Sequence, residues 1–231
     1  MRDFNFPFSR PKRNLLEAAE ELFATKGFDL VSVRDITKAA KANVAAVNYH
    51  FGGREELISL VVMRYVIPVN DERLARLDAL EKKHAGKVVP LELLLDAFTR
   101  PLVEAVRKSE LSERLFCRLM GRILSMPNES IPAPVLEQLR TLSERFQKAF
   151  SRVLPEVTTE ELLWRIHFVV GSLIHMLSHQ EVLAKITGNA SGTPAGETIV
   201  ARFIRFAAAG LRQETDDGAE TPKGPQELFN F

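Results

Sequence analysis

Between Val33 and Leu57 the chain reads VRDITKAAKANVAAVNYHFGGREEL, and this stretch gathers the side chains best suited to touching a nucleic acid. Asparagine can bind adenine with two hydrogen bonds, and an alanine methyl can lie against the methyl of thymine. Asn43, Ala46 and Asn48 offer such groups to base edges if Val44 and Val47 turn inward. Tyr49 and His50 bring a phenol and an imidazole to the height of the phosphates. Arg54 stands where a helix opens, so a cation and free backbone N–H groups together make an anion site. Ser32 and Thr37 add hydroxyls from a preceding helix, and Lys41 an ammonium from the turn. A plainer alternative stays open: three packing helices with incidental polarity. Catalytic frames are missing, since no nucleophile elbow, phosphate loop, HExxH motif or recognisable carboxylate pair occurs. An enzyme is therefore not expected, whereas an interaction module without DNA binding remains a rival.

The elements that must hold these residues are helical. Apolar residues recur at three and four in Leu15, Leu16, Ala18, Ala19, Leu22 and Phe23, with Glu17, Glu20 and Glu21 assigned to the opposite face. Pro11 suits a first turn and Gly27 a stop, which predicts a helix over 11–26. Ser32 and Asp35 form a capping box for a second helix reaching Ala40. Asn43 caps a third, Val44 to His50, which Phe51-Gly52-Gly53 ends before Arg54 opens a fourth. Three short helices in so little chain have the layout of a helix-turn-helix unit. The fourth helix carries Leu57, Ile58, Val61, Val62 and Tyr65 and is expected to kink or break at Pro68, with a charged helical pattern resuming from Asn70 to about Lys83. Further helices are predicted over Pro90–Ser109, Ser112–Ser125, Pro134–Leu154, Thr158–Ile186 and Pro194–Gln213. The fold class is all-α, about nine helices: an N-terminal three-helix helix-turn-helix domain and a larger C-terminal helical bundle domain. The domain reading is an arm over 1–10, the DNA-binding unit over 11–53, a ligand-binding and dimerisation domain over 54–213, and an acidic tail over 214–231. That tail is expected to be mobile, and its Phe229-Asn230-Phe231 echoes Phe4-Asn5-Phe6.

Composition narrows the partners. With 45% hydrophobic and 26% charged residues among 231, the chain has an ordinary globular make-up. A net charge of +1 means that affinity for DNA has to come from local clusters, such as Arg10, Lys12 and Arg13 ahead of the first helix. The single cysteine, Cys117, excludes an internal disulfide and reads as a small buried residue. No stretch has the apolar length of a membrane span, and no secretory pattern opens the chain, so a cytoplasmic location without membrane contact is expected.

In its motifs Ala39-Ala40, Val47-Asn48-Tyr49-His50-Phe51 and Gly53-Arg54-Glu55-Glu56-Leu57, in register over roughly residues 12 to 60, the sequence resembles the TetR family of bacterial regulators. The resemblance implies that Tyr49, His50 and Arg54 contact phosphate, that Asn43 to Asn48 face bases, and that Phe51 locks the third helix to its bundle. Two departures stand out. Lys41 sits where the turn usually carries glycine, and Val44-Ala45-Ala46 replaces the polar start common in the recognition helix. The wording from NYHFGGREEL through Asn70-Asp71-Glu72-Arg73-Leu74 looks like a subgroup that answers to fatty acids and acyl-CoA, the PsrA type.

The resemblance also implies a divergent helical domain with a small-molecule effector site, released from a palindromic operator on ligand binding, and a homodimer through the last two helices. Candidate pocket residues are Phe98, Phe116, Met120, Trp164, Phe168 and Met176, with His167 and His175 as polar points; for each, ordinary core is the stronger alternative. The two histidines lack a third ligand at metal spacing, so neither a metal nor a cofactor is expected. Independently, the eighth helix is apolar around most of its circumference and must be covered on all sides. Ile199, Phe203, Phe206 and Ala207 give the ninth an apolar stripe, and burial within one monomer is the alternative to a dimer.

Overall fold

Helix α1 (Arg10–Lys26) takes Pro11 in its first turn, where the absent N–H costs no hydrogen bond, and stops at Gly27 with φ 95°. The computed structural model describes residues 8–178, 185, 186, 188 and 196–214. Among these are nine α-helices with full bounds, a 3-10 turn (Asn128–Ser130) and helical residues at 185 and 186, with no strand. After α1 come α2 (Val33–Ala39), α3 (Ala45–Phe51), α4 (Arg54–His84), α5 (Leu91–Lys108), α6 (Glu113–Leu124), α7 (Ala133–Val153), α8 (Thr159–Ser178) and α9 (Gly196–Arg212). The all-α reading, a helix-turn-helix head on a larger helical body, matches this order. The expected extension of the eighth helix toward Ile186, the start of the ninth at Pro194 and the acidic tail fall largely or wholly outside the described residues.

In the head, Leu15, Leu16, Ala19, Phe23, Ile36, Val47 and Leu57 have no solvent exposure, so α1, α2, α3 and the start of α4 share one core. The body is built around the rest of α4, which packs on α5 and α7, while α8 meets α6, α7 and α9. Helix α6 also lies against α1. From there Arg122 donates Nε to the Ala24 carbonyl at 3.2 Å and Nη2 to that of Thr25 at 3.1 Å. The last carbonyls of α1 are thus capped by a side chain of the body. Gly27 leaves room for it: a Cβ there would fall 2.4 Å from Arg122 Nη1.

Three expectations need correction. Helix α4 runs unbroken through Pro68 for 31 residues. Proline removes one helical hydrogen bond and crowds the preceding turn, at a cost of roughly 3 kcal/mol. Burial on both sides outweighs it, because Val61, Val62, Val66, Val69 and Leu77 all lie in the core. Gln138 of α7 fastens the turn, donating Nε2 to the Ile67 carbonyl at 3.3 Å and to Asp71 Oδ1 at 2.7 Å. Second, Glu20 is not on an outer acidic face but is 2% exposed, between α1 and α4. Third, Arg73 is no part of a solvated charged run: it stands on the Val66, Val69, Leu77 stripe and is 8% exposed.

Candidate nucleic-acid interface and effector region

The helix-turn-helix is assembled from local hydrogen bonds that the sequence specifies. Ser32 Oγ accepts from the Asp35 N–H at 3.2 Å, and Asp35 Oδ2 accepts from the Ser32 N–H at 2.9 Å, the reciprocal capping box. Those donors hold the Asp35 carboxyl below the usual carboxylate range. At the other end of α2 the Ala42 N–H reaches the Thr37 carbonyl at 2.8 Å and the Lys41 N–H reaches that of Lys38 at 3.3 Å. This is a Schellman ending, and it requires a left-handed residue at Lys41, whose φ is 53°. The exposed Lys41 therefore carries a strain that glycine would not. Lys41→Gly is expected to raise stability by about 0.5–1 kcal/mol, read as a thermal midpoint about 2 °C higher. An unchanged or lower midpoint would contradict the strain at this turn.

Helix α3 is capped by Asn43, whose Oδ1 accepts the Ala45 N–H at 2.9 Å. It ends at Gly52 (φ 93°) and Gly53, where a Cβ would meet Glu56 Oε2 at 2.6 Å. One side of α3 is fixed by Val47, with no exposure. The opposite side presents Val44 at 51% exposure, Ala45, Asn48 and Tyr49 at 84%. The inward turn expected for Val44 is therefore wrong, and Ala46, expected at base edges, packs partly against the core. Tyr49 stands edge-on to His50 at 5.0 Å between centroids. Phe51 packs against the core, and Lys12 lies over its ring at 5.2 Å and over Phe8 at 4.8 Å, so the start of α1 is pinned beside the end of α3.

Two hydroxyls and a guanidinium singled out in the sequence are engaged within the head. Thr37 is 2% exposed and donates Oγ1 to the Val33 and Arg34 carbonyls at 3.0 and 3.2 Å. Ser32 is exposed but committed to the capping box. Arg54 donates Nε to the Val31 carbonyl at 3.0 Å, Nη2 to that of Phe28, and Nη1 to Glu55 Oε1 at 2.6 Å. It ties the loop between α1 and α2 to α4 rather than standing ready for phosphate. The groups left pointing outward together are Lys41, Asn43, Val44, Ala45, Asn48 and Tyr49, with His50 half-buried beside them.

The candidate effector residues do not converge. Phe116 and Met120 of α6 are buried, with Tyr65 against Phe116 at 5.7 Å. Phe98 of α5 is half-buried and meets Phe146 edge-on at 5.3 Å, and Met176 is half-buried on α8. Trp164, His167 and Phe168 stand on the outer face of α8 instead, Trp164 56% and Phe168 63% exposed. There Trp164 and Phe168 border an open groove of about 680 Å³ whose other wall is Phe206, Ala207 and Gly210 of α9. Arg165 closes its floor, donating to Glu161 Oε1 at 2.7 Å and to the Leu211 and Gln213 carbonyls at 2.9 and 2.7 Å. Cys117 is buried and its thiol is pushed up to about 11 by desolvation. No group of three metal-ligating side chains occurs among the described residues, and no helix among them is long and apolar enough to cross a membrane.

Sequence reasoning missed Glu20, Arg73 and Arg165, all buried charges on otherwise apolar stripes. The signal was available for two of them: Glu20 falls between Leu16 and Phe23, and Arg73 between Val69 and Leu77, at the three-four spacing of a core face.

Comparison with known proteins agrees with this geometry. A family model described as "Bacterial regulatory proteins, tetR family" matches residues 15–61, and one described as "Tetracyclin repressor-like, C-terminal domain" matches residues 96–210. Over 54 residues the chain is 41% identical to the probable HTH-type transcriptional regulator YttP of Bacillus subtilis (strain 168). That match takes in 23% of this chain and 26% of the relative, so it spans about a quarter of that protein's length. Among solved structures, AmtR of Mycobacterium smegmatis superposes with a TM-score of 0.60 at 17% identity, over 92% of this chain and 91% of its own. A TetR-like transcriptional regulator from Rhodococcus sp. RHA1 gives 0.57 at 17% identity, over 90% and 99%. The TetR family transcriptional regulator PfmR from Thermus thermophilus gives 0.55 at 18%, over 87% and 98%. At such identities these structures speak for the shared fold alone. The two family models, matched in order across head and body, carry the assignment further: the chain belongs to the TetR family of bacterial transcriptional regulators.

Proposed function

We propose that the protein is a homodimeric, ligand-responsive repressor that binds a palindromic DNA operator through α3 and leaves it when a small apolar or acyl effector enters the body. The observation that carries this reading is the division of α3. Val47 anchors one side with no exposure, while Val44, Ala45, Asn48 and the 84% exposed Tyr49 stand exposed among the described residues. A short, anchored helix with such a face suits the major groove, where Asn48 can address adenine and the methyl groups of Val44 and Ala45 can address thymine. Lys41 and Tyr49 flank that face as phosphate donors. Arg54 acts one step back, holding the head together.

Dimerisation through α8 and α9 is part of the same proposal. Leu163, Trp164, Phe168 and Phe206 are 45–67% exposed, too much large apolar surface on one face for an isolated monomer. Gly171 on α8 and Gly210 on α9 face open space, so no packing among the described residues needs them small. A second copy of the same two helices can approach there. Effector binding would then favour a body conformation whose α4 helices hold the two heads at a spacing other than the ~34 Å of successive major grooves. The continuity of α4 from Arg54 to His84 gives the body a stiff lever on each head.

The test is binding to duplex DNA from the region upstream of the protein's own coding sequence, followed by fluorescence anisotropy across a salt series. Wild type should bind with a steep salt dependence. Tyr49→Ala should leave the thermal midpoint unchanged and weaken binding about a hundredfold, from about 1.5 kcal/mol of phosphate hydrogen bonding in each of two heads. Equal affinity of Tyr49→Ala and wild type would remove α3 from the interface and favour an interaction module.

A further inference from the structure

The face that α3 turns outward is poor in hydrogen-bonding groups. Val44 precedes the helix with helical backbone angles (φ −56°, ψ −37°), so it continues the same spiral. Val44, Ala45, Asn48 and Tyr49 therefore stand at i, i+1, i+4 and i+5 and share one exposed side. Two adjacent aliphatic residues open that side, with Val44 51% exposed. Asn48 brings the one complete amide, since its side chain makes no hydrogen bond among the described residues. Asn43 has already given its Oδ1 to the Ala45 N–H at 2.9 Å and keeps only donors. His50 is half-buried, edge-on to Tyr49 and Phe51 at 5.0 and 6.4 Å between centroids.

Charge is missing from this face altogether. No arginine, lysine, aspartate or glutamate occurs between Asn43 and Phe51. The flanking cations are Lys41, in the turn before the helix, and Arg54, which is bound to the Phe28 and Val31 carbonyls. Each base asks for different chemistry in the major groove. Guanine is taken through O6 and N7 by arginine or lysine, and cytosine through its amino group by a carboxylate. Adenine is taken by an amide, and thymine by an apolar contact with its methyl. The first two partners are absent from α3 and the last two are present.

We propose that α3 reads methyl groups: Val44 and Ala45 each pack on the 5-methyl of a thymine, Asn48 takes an adenine, and this helix reads no guanine. The proposal rests on the DNA-binding reading above and names the chemistry of the operator, half-sites rich in A·T pairs. Val44 and Asn48 are one helical turn apart, roughly one to two base steps, so both contacts fit one short stretch of groove. A valine side chain offers nothing to O4 of thymine or N4 of cytosine. Opposite Val44 the C5 methyl should then raise affinity by the same factor whether it is added to uracil or to cytosine. Burying one methyl is worth about fourfold in affinity, and a two-fold complex presents each contact twice, so about fifteenfold in all.

Full-length protein is first used to select its preferred sites from random duplexes, and the best site is remade with uracil replacing one thymine at a time in both half-sites. Wild type should select half-sites dominated by A·T pairs. Anisotropy at fixed salt should show about a fifteenfold loss at each contacted thymine. Cytosine opposite Val44 should regain about the same factor on 5-methylation. The 5-methyl lies in the major groove, so an A·T preference read from the minor groove would not respond. Val44→Ser should keep its thermal midpoint and bind thymine and uracil duplexes alike at one position. Val44→Ile should retain the thymine preference there. The cycle of protein and DNA changes separates the contact from any loss of folding. Selected half-sites built on guanine, or equal affinity of wild type for thymine and uracil duplexes, would overturn the methyl reading and leave DNA binding standing. A thymine preference unchanged at every position in Val44→Ser overturns it as well. If no duplex is bound in a salt-sensitive way, both readings fall together.

Discussion

Phe168→Glu should turn a dimer into a monomer and abolish operator binding at concentrations where wild type is saturated. Phe168 is 63% exposed on α8, beside Trp164 with ring centroids 6.0 Å apart, and Phe206 of α9 stands 67% exposed on the opposite wall of the groove. In a two-fold interface every residue counts twice. Removing a central aromatic typically costs at least about 2 kcal/mol, so two copies weaken association by about a thousandfold before the new charges are considered. Burying two carboxylates without partners adds to that. The isolated chain should tolerate the change, because the side chain touches mainly solvent in the monomer. Sedimentation gives the mass, circular dichroism the fold, and anisotropy the DNA affinity. A variant that remains dimeric places the interface elsewhere and leaves the groove between α8 and α9 without its proposed occupant.

The same face shows what the sequence could convey. The eighth helix, apolar around most of its circumference, announced that it needed cover on every side, from a second chain or from its own, but periodicity does not say which residues meet the partner. Trp164 and Phe168 therefore joined the effector candidates on type alone, and only the packing of α8 against α6, α7 and α9 puts them outside. In the head the local signals were stronger. The Ser32–Asp35 capping box, the Asn43 cap and the left-handed Lys41 all rest on hydrogen bonds spanning a few residues, and each is present. Long-range facts were not legible. Nothing adjacent to Arg54 tells that its guanidinium reaches back to Phe28 and Val31, which come close only when α1 and α4 pack. Pro68 failed in the other direction: a local rule predicted a kink or a break, and burial of the apolar side of α4 on both sides of it kept the helix unbroken.

Buried charges follow from this contrast. A charged residue on a core stripe is ambiguous in one dimension, since a helix can rotate slightly to release it. Glu20 and Arg73 are both held because a neighbouring helix crosses over them, and they lie on either side of the head–body boundary. Glu20 of α1 faces Arg64 of α4, which in turn reaches Glu110 beyond α5. Head and body are thus joined by Arg122 at the end of α1 and by this polar cluster midway along it.

That cluster makes stability depend on pH in a direction unusual for a carboxylate. Burial lifts Glu20 from 4.5 to about 7, against the opposing pull of Arg64 and a hydrogen bond with Tyr65. Arg64 Nε is 3.3 Å from Glu20 Oε1, but the contact is not a well-directed hydrogen bond. A carboxyl whose folded value lies above its unfolded one stabilises the protein most below pH 4.5, and the contribution drains away as pH rises through about 7. Glu20→Gln keeps a neutral side chain of the same shape. It should match wild type near pH 4 and exceed it at pH 8 by up to about 3 kcal/mol, read by urea denaturation across the series. The difference curve should rise between these limits and then flatten, and tighter joining of head and body at pH 8 should accompany it. If Glu20→Gln is instead the weaker protein at every pH, Arg64 holds an ionised Glu20 throughout, and the cluster is an ordinary buried ion pair.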